Sequence, residues 1–369
     1  MGSDFRARRG LRALVTVTII TLALGGILAG TANATAATRL QRAQRGAQWL
    51  ANQIKQNGGY VKNFGVADVT STAYAIIGMR AAGVDIAASD KGIRYLRTKI
   101  GTQVQANGSD APGALAEYIL AAVADNSDPR HFGGTAAKNN LVARLLATAR
   151  TTGTNKGLFG VQDPTYDGAF RQGLALAALK AAAVSSSNAR LVAGISWLRK
   201  QQCGNGLWQA YRASTTTACP AADPNTFTGP DTNSTSLAVQ GLAAWSQLPR
   251  KAAVLQSLDA VQSANAGWPF VAAPGQAADP NSTALVIQTL VAENSSPVGT
   301  QWQKGTKNPF TALASYQLGC SKPDYGAFFF PGSTTANVFA TVQAVPAMAS
   351  KTFPVARNSA STIVPLTPC

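Results

Sequence analysis

Apolar residues recur at spacings of three and four along almost the whole chain, the period of an α-helix packed on one side. Two kinds of stretch alternate. The first kind is charged on one face, with Arg39, Arg42, Arg45 and Lys55, then Lys91, Arg94, Arg97 and Lys99, then Arg190, Arg199 and Lys200. Such stretches predict helices with a wet face and a buried stripe. The second kind is apolar nearly all round after its first turn, at 73–77, 115–123, 174–183, 237–244 and 285–291. A helix apolar on every side is a buried one. The spacing predicts twelve helices in six pairs: 38–56 with 69–83, 88–105 with 111–125, 136–151 with 166–184, 188–202 with 232–247, 250–264 with 280–294, and 303–318 with 334–348. No alternating strand pattern is expected. Half-exposed helices alternating with buried ones predict two concentric rings, an all-α (α/α)6 toroid over 35–348, with an open solenoid as the alternative. Residues 349–369 lack the period and are expected to form a tail.

A short motif repeats on this background. Asp-x-x-Ser-Thr opens three buried helices: Asp68, Ser71 and Thr72; Asp231, Ser234 and Thr235; Asp279, Ser282 and Thr283. A looser copy is expected at Ser333-Thr334-Thr335-Ala336. Each strict copy follows a glycine and an aromatic, Gly59-Tyr60, Gly206-Leu207-Trp208 and Gly267-Trp268, and before those an amphipathic stretch ending in glutamine. Such self-similarity marks a repeat architecture. An aspartate just before a helix can accept the free amide hydrogens of the first turn and oppose the positive end of the dipole. Folding alone thus explains the motif. If the inner helices run parallel, the same residues also ring one mouth of the toroid, with Trp208 and Trp268 beside them and Gln240, Gln288 and Gln343 in a deeper layer.

The first 34 residues stand apart. Arg6, Arg8, Arg9 and Arg12 precede a short apolar run, and Ala32-Asn33-Ala34 closes it, as in a secretory signal peptide cleaved near Ala34. The mature chain is therefore expected outside the cell, with no membrane span. The segment holds four arginines and one aspartate, so its removal lowers a net charge of +16 to +13. A basic surface suits an anionic cell-envelope polymer as partner. Scattered basic residues and export argue against nucleic acid. Four cysteines in an exported chain suggest two disulfides in one of three pairings; the expected one closes a loop between two helices with Cys203–Cys219 and ties the tail to the last repeat with Cys320–Cys369.

The helix with Trp197-Leu198 and Gln201-Gln202, the turn Gly206-Leu207-Trp208 and the Asp-x-x-Ser-Thr helix start together resemble the prenyltransferase/squalene-cyclase repeat family of toroids. The stretch from Asp128 to Gly134, then Leu141-Val142, resembles secreted bacterial members similar to the helical domain of the cobalamin carriers, transcobalamin and intrinsic factor. The resemblance implies the toroid over about 40–348 but not one activity. The Asp-x-Asp-Asp acid of squalene-type cyclases is missing, as are the Asp, Cys and His zinc ligands of protein prenyltransferases. No metal or cofactor is therefore expected. Glu117 on a buried helix and Asp167 at a helix start are the carboxylates available for polysaccharide cleavage. The leading expectation is a non-catalytic toroid that binds an unidentified small molecule or a polymer at the inner-helix mouth, through Asp68, Ser71, Thr72, Asp231, Ser234, Thr235, Asp279, Ser282, Thr283, Trp208 and Trp268, or serves as an extracellular scaffold. The alternative is an isoprenoid enzyme of terpene cyclase or prenyltransferase type, with Asp231 or Asp279 as a non-standard acid.

Overall fold

The computed structural model describes residues 36–161, 167–356, 358–367 and 369. The expected signal segment lies outside these residues. The chain divides into two units, Met1–Gln41 and Arg42–Cys369. Of the first, residues 36–41 are described and are helical. The toroid is built by the second.

The second unit opens with helix α1, which runs to residue 56. The inner ring is α2 (Val69–Ala82), α4 (Pro112–Ala124), α6 (Ala169–Ala181), α8 (Thr232–Ala243), α10 (Pro280–Ala292) and α12 (Val338–Met348). Each packs against the next, and α12 packs against α2, which closes the ring. Between them run α3 (Ile86–Arg97), α5 (Leu141–Ala147), α7 (Ala189–Lys200), α9 (Lys251–Ala260) and α11 (Pro309–Ala314). The inner helices are buried along nearly their whole length and the outer ones on a stripe only, as the hydrophobic pattern predicts. This is the all-α toroid of six helix pairs.

The inner helices run parallel. Thr70 in the first turn of α2 bonds Glu117 in α4, Ala169 at the start of α6 bonds Ala210 just ahead of α8, and the segments leading into α8 and α10 bridge at Asp231 and Val271. All six N-termini therefore open at one end. Between α6 and α8 the backbones touch through glycine: a Cβ on Gly173 would sit 2.0 Å from the Leu237 carbonyl oxygen.

Three features depart from the sequence expectation. The outer helices are shorter; α5 has seven residues and α11 six, because Asn140 and Asn308 cap them late, accepting from Ala143 N and Thr311 N. Two small hairpins occur where no strand is expected, β1 (Val61–Asn63) with β2 (Val66–Asp68), and β3 (Gln105–Ala106) with β4 (Ser109–Asp110). Strands of two or three residues are too short to carry an alternation. The fourth motif copy begins at Asn337 rather than Ser333, since the Asn337 side chain accepts from Ala340 N at 2.9 Å.

The tail from 349 onward is anchored at its start, while 359–363 are exposed. Phe353 and Val355 are buried. Phe353 lies against Tyr74 of α2, ring centroids 6.1 Å apart, and its N–H donates to Gln240 Oε1 of α8 at 3.0 Å. Because α2 and α8 are opposite in the ring, Phe353 sits on the axis. Farther on, Thr362 pairs with Val84, and Val364 N donates to Gln48 Oε1. Cys320–Cys369 ties the chain end to the sixth pair, and Cys203–Cys219 closes the loop between α7 and α8.

Candidate functional site

The repeated motif builds one end of the ring. Asp68, Asp231 and Asp279 accept from the backbone N–H of Ser71, Ser234 and Ser282 at 3.1, 2.6 and 2.8 Å. The threonines do a second job. Thr72, Thr235, Thr283 and Thr341 accept the backbone N–H of Val61, Trp208, Trp268 and Phe328 at 2.9–3.0 Å, pinning the Gly-aromatic turn to the inner helix. Trp208 and Trp268 are fully buried, each donating its indole N–H to its own outer helix, at Leu198 O and Leu258 O. In the third pair Gln172 takes the threonine's place, accepting from Phe159 N at 2.9 Å. Asp231, Ser234, Thr235, Asp279, Ser282 and Thr283 are buried, as are Ser71 and Thr72; Asp68 is partly buried. Burial raises the Asp231 carboxyl to about 6 against the amide bonds that hold it down, and raises Asp279 for the same reason.

A cleft of about 250 Å³ opens at the same end, over the first turns of α2, α4 and α6. Hairpin β3–β4 forms one wall with Ala106, Asn107, Ser109 and Asp110; Thr70, Glu117, Val161, Asp167 and Arg171 supply much of the rest. None of the eleven motif-derived residues lines it; the first copy contributes its neighbour Thr70 instead. No aromatic ring stands among the described lining residues.

Three carboxyl groups line this cleft in different surroundings. Asp110 is held by Arg144, Nη2 to Oδ1 at 2.6 Å and Nε to Oδ2 at 2.9 Å, which keeps its carboxyl below the usual value. Glu117 is partly buried and accepts from Thr70 Oγ1 at 2.8 Å. Burial lifts its carboxyl to about 7, although the Thr70 bond and the Arg171 charge pull it down; Asp68 pushes it up. Glu117 can therefore carry or release a proton at neutral pH. Tyr74 beneath it is raised by burial and by Glu117. Asp167 is buried just ahead of α6, packed on Gly160, where a Cβ would come within 2.2 Å of its Oδ1. The cleft thus joins a protonatable acid, a second carboxylate and a cation.

No family model matches the sequence, and no curated protein matches it. Solved structures do match. An unsaturated glucuronyl hydrolase specific for heparin superposes with a TM-score of 0.57 at 9% identity, over 85% of this chain and 96% of that one. A polysaccharide lyase gives 0.54 at 13% identity, over 85% and 96%. A type II terpene cyclase from Scytonema gives 0.51 at 13% identity, over 85% and 98%. The fold is that of the α/α-toroid enzymes. This supports the terpene-cyclase part of the sequence resemblance and lends nothing to the cobalamin carriers. At such identities the likeness fixes the fold and carries no residue roles.

Sequence reasoning picked out Glu117 and Asp167 of this toroid's cleft but missed Thr70 and Arg171. A signal was there. Arg171 stands in the first turn of α6, a turn that carries no charged residue in the other five inner helices. Asp128 and His131, from the carrier-like stretch, form an exposed pair with Nδ1 and Oδ2 2.7 Å apart.

Proposed function

We propose that this protein is an exported enzyme that cleaves the glycosidic bonds of an anionic polysaccharide in the cleft over α2, α4 and α6. One observation carries the reading: Glu117, with a carboxyl raised by burial to about 7, lines the same cleft as Asp167 and Arg171. An acid with that value donates a proton efficiently at neutral pH. Its proton would pass to the departing glycosidic oxygen as the C–O bond breaks. Asp167 would stabilise the positive charge on the sugar or activate the water that adds there. Arg171 would hold an acidic group of the substrate. The basic chain suits such a partner, and two disulfides suit export. Enzymes of polysaccharides among the structural neighbours favour catalysis over a binding scaffold.

A second reading keeps Glu117 as the acid and makes the substrate an isoprenoid; the match to the terpene cyclase favours it. Carbocations need aromatic faces around them, and the described cleft wall has none. Asp231 and Asp279, the acids that reading first suggests, are engaged as helix caps. The test is an assay of the full mature chain on polygalacturonate, alginate, heparin and hyaluronate, with geranylgeranyl substrates in parallel. Release of new chain ends, lost by a hundredfold or more in Glu117→Gln, is expected. Cyclised isoprenoid products with no saccharide cleavage would replace the first reading by the second.

A further inference from the structure

Hairpin β1–β2 ends in a turn that folding does not account for. Its turn residues are Phe64 and Gly65, between the paired Asn63 and Val66. Both have positive φ, 48° and 80°. A two-residue turn of this kind favours Asn-Gly, because a bulky side chain is crowded in the left-handed region. The second hairpin of this protein follows that preference with Asn107-Gly108, at φ of 51° and 77°. The first places a phenylalanine in the strained position and leaves it 90% exposed. Val66, next to it, is 65% exposed. Burial does not offset the strain, and strain of this sort persists where a surface has work to do.

The position narrows that work. Strand β2 ends at Asp68, the cap of α2, and Thr70 lines the cleft. Asn63 Nδ2 donates to Asp68 Oδ2 at 3.0 Å, fastening the hairpin to the helix start. The hairpin therefore runs into the start of α2 two residues ahead of Thr70, which lines the cleft. Lys62 is exposed beside it, and no acidic residue lies between 59 and 67.

We infer that Phe64, with Val66, is a stacking subsite for a sugar ring of the polysaccharide that extends out of the cleft. This rests on the proposed saccharide reading of that cleft. A pyranose ring carries one face of C–H groups, which a phenyl ring covers while the hydroxyls stay in water. Lys62 adds attraction for an acidic chain. A membrane surface is the competing occupant. One phenylalanine and one valine bury less apolar area than a single acyl chain, which is itself a marginal anchor; the patch matches one sugar ring and falls short of a bilayer.

Phe64→Asn tests this, since asparagine tolerates the left-handed turn and removes the ring. Folding is checked by thermal unfolding, where the variant should equal or exceed the wild type because strain is relieved. Affinity electrophoresis of the full mature chain then uses gels containing polygalacturonate, alginate, heparin or hyaluronate. Wild-type retardation by at least one polymer is expected, with Kd rising fivefold or more in Phe64→Asn and the polymer losing its advantage over a disaccharide of the same sugar. Unchanged polymer affinity in the folded variant overturns the subsite and leaves the cleft reading standing. A wild type retarded by none of the polymers overturns both. Sedimentation with phosphatidylglycerol vesicles that disappears in Phe64→Asn, without a change on the polymers, gives the tip to a membrane and also overturns the inference.

Discussion

A single aspartate and a single threonine do two jobs in each strict copy of the motif. The aspartate caps the inner helix, and the threonine holds the preceding turn. Removing the cap in Asp231→Ala should cost about 0.5–2 kcal/mol, read by denaturant unfolding. Asp231→Asn should behave differently. Burial puts the folded-state carboxyl at about 6, above its ordinary 3.8. A carboxyl raised on folding contributes stability below the unfolded value and loses it as pH rises through the folded one. The asparagine keeps the acceptor without the charge. Its unfolding temperature should therefore equal or exceed that of the wild type at pH 7.5 and show no gain at pH 3.5. Glu117 follows the same sign over a higher window, between its ordinary 4.5 and about 7. Glu117→Gln should stabilise the protein at pH 8 relative to pH 4 while abolishing cleavage, the pattern of a group retained for chemistry at a cost in stability. A Gln variant less stable than the wild type at pH 8 would mark Glu117 as structural.

At the scale of elements, inner helices meet through small residues. The α6–α8 contact is the closest approach, with Gly173 against Leu237 O and Gly241 against Gly173 O. Backbone atoms cannot step aside as a flexible side chain does. Gly173→Ala should therefore force the helices apart and cost about 1–3 kcal/mol or more. Gly204→Ala, with nothing within 4 Å of the new carbon, should stay within about 0.5 kcal/mol. Equal losses in guanidinium unfolding would refute this account of the interface. Outer helices carry less of the fold. The six-residue α11 is held by its capping box and by Phe310 and Leu313 in the core, which is why helical periodicity overestimated its length.

At the scale of the whole molecule, the tail makes the two ends of the toroid unequal. Phe353 lies between α2 and α8 on the ring axis, and the last residues run past the C-terminal ends of the inner helices to Val84 and Gln48. Phe353→Ala should cost about 3–5 kcal/mol. Replacing Cys320 and Cys369 together by serine should cost about 2–4 kcal/mol, since the bond closes a loop of 49 residues. Limited proteolysis checks the connection: the double variant should lose its tail first, and a tail as resistant as that of the wild type would show that the disulfide does not hold it.

How much of the molecule was legible in the sequence depends on the range of each interaction. The period of three and four marks buried and half-buried helices locally, so the six pairs and the caps at Asp68, Asp231 and Asp279 could be read directly. Cys203 and Cys219 are near enough to pair by inspection. The fourth cap was misplaced because Asn337 stands where the strict copies have aspartate and Ala340 where they have serine, which leaves Thr341 alone to mark the spacing. Strands of two or three residues left no alternation to find. The cleft was half legible. Glu117 and Asp167 show as carboxylates on or beside apolar helices, but only the ring brings them together with Thr70 and Arg171 and buries Glu117 enough to raise its carboxyl. Periodicity says which face of a helix is buried, not which distant helix covers it. Closure of α12 on α2, the place of Phe353 on the axis and the wall that hairpin β3–β4 gives the cleft are contacts between residues far apart in the chain. Their energies exist only once the ring has formed, so the tertiary structure alone decided them.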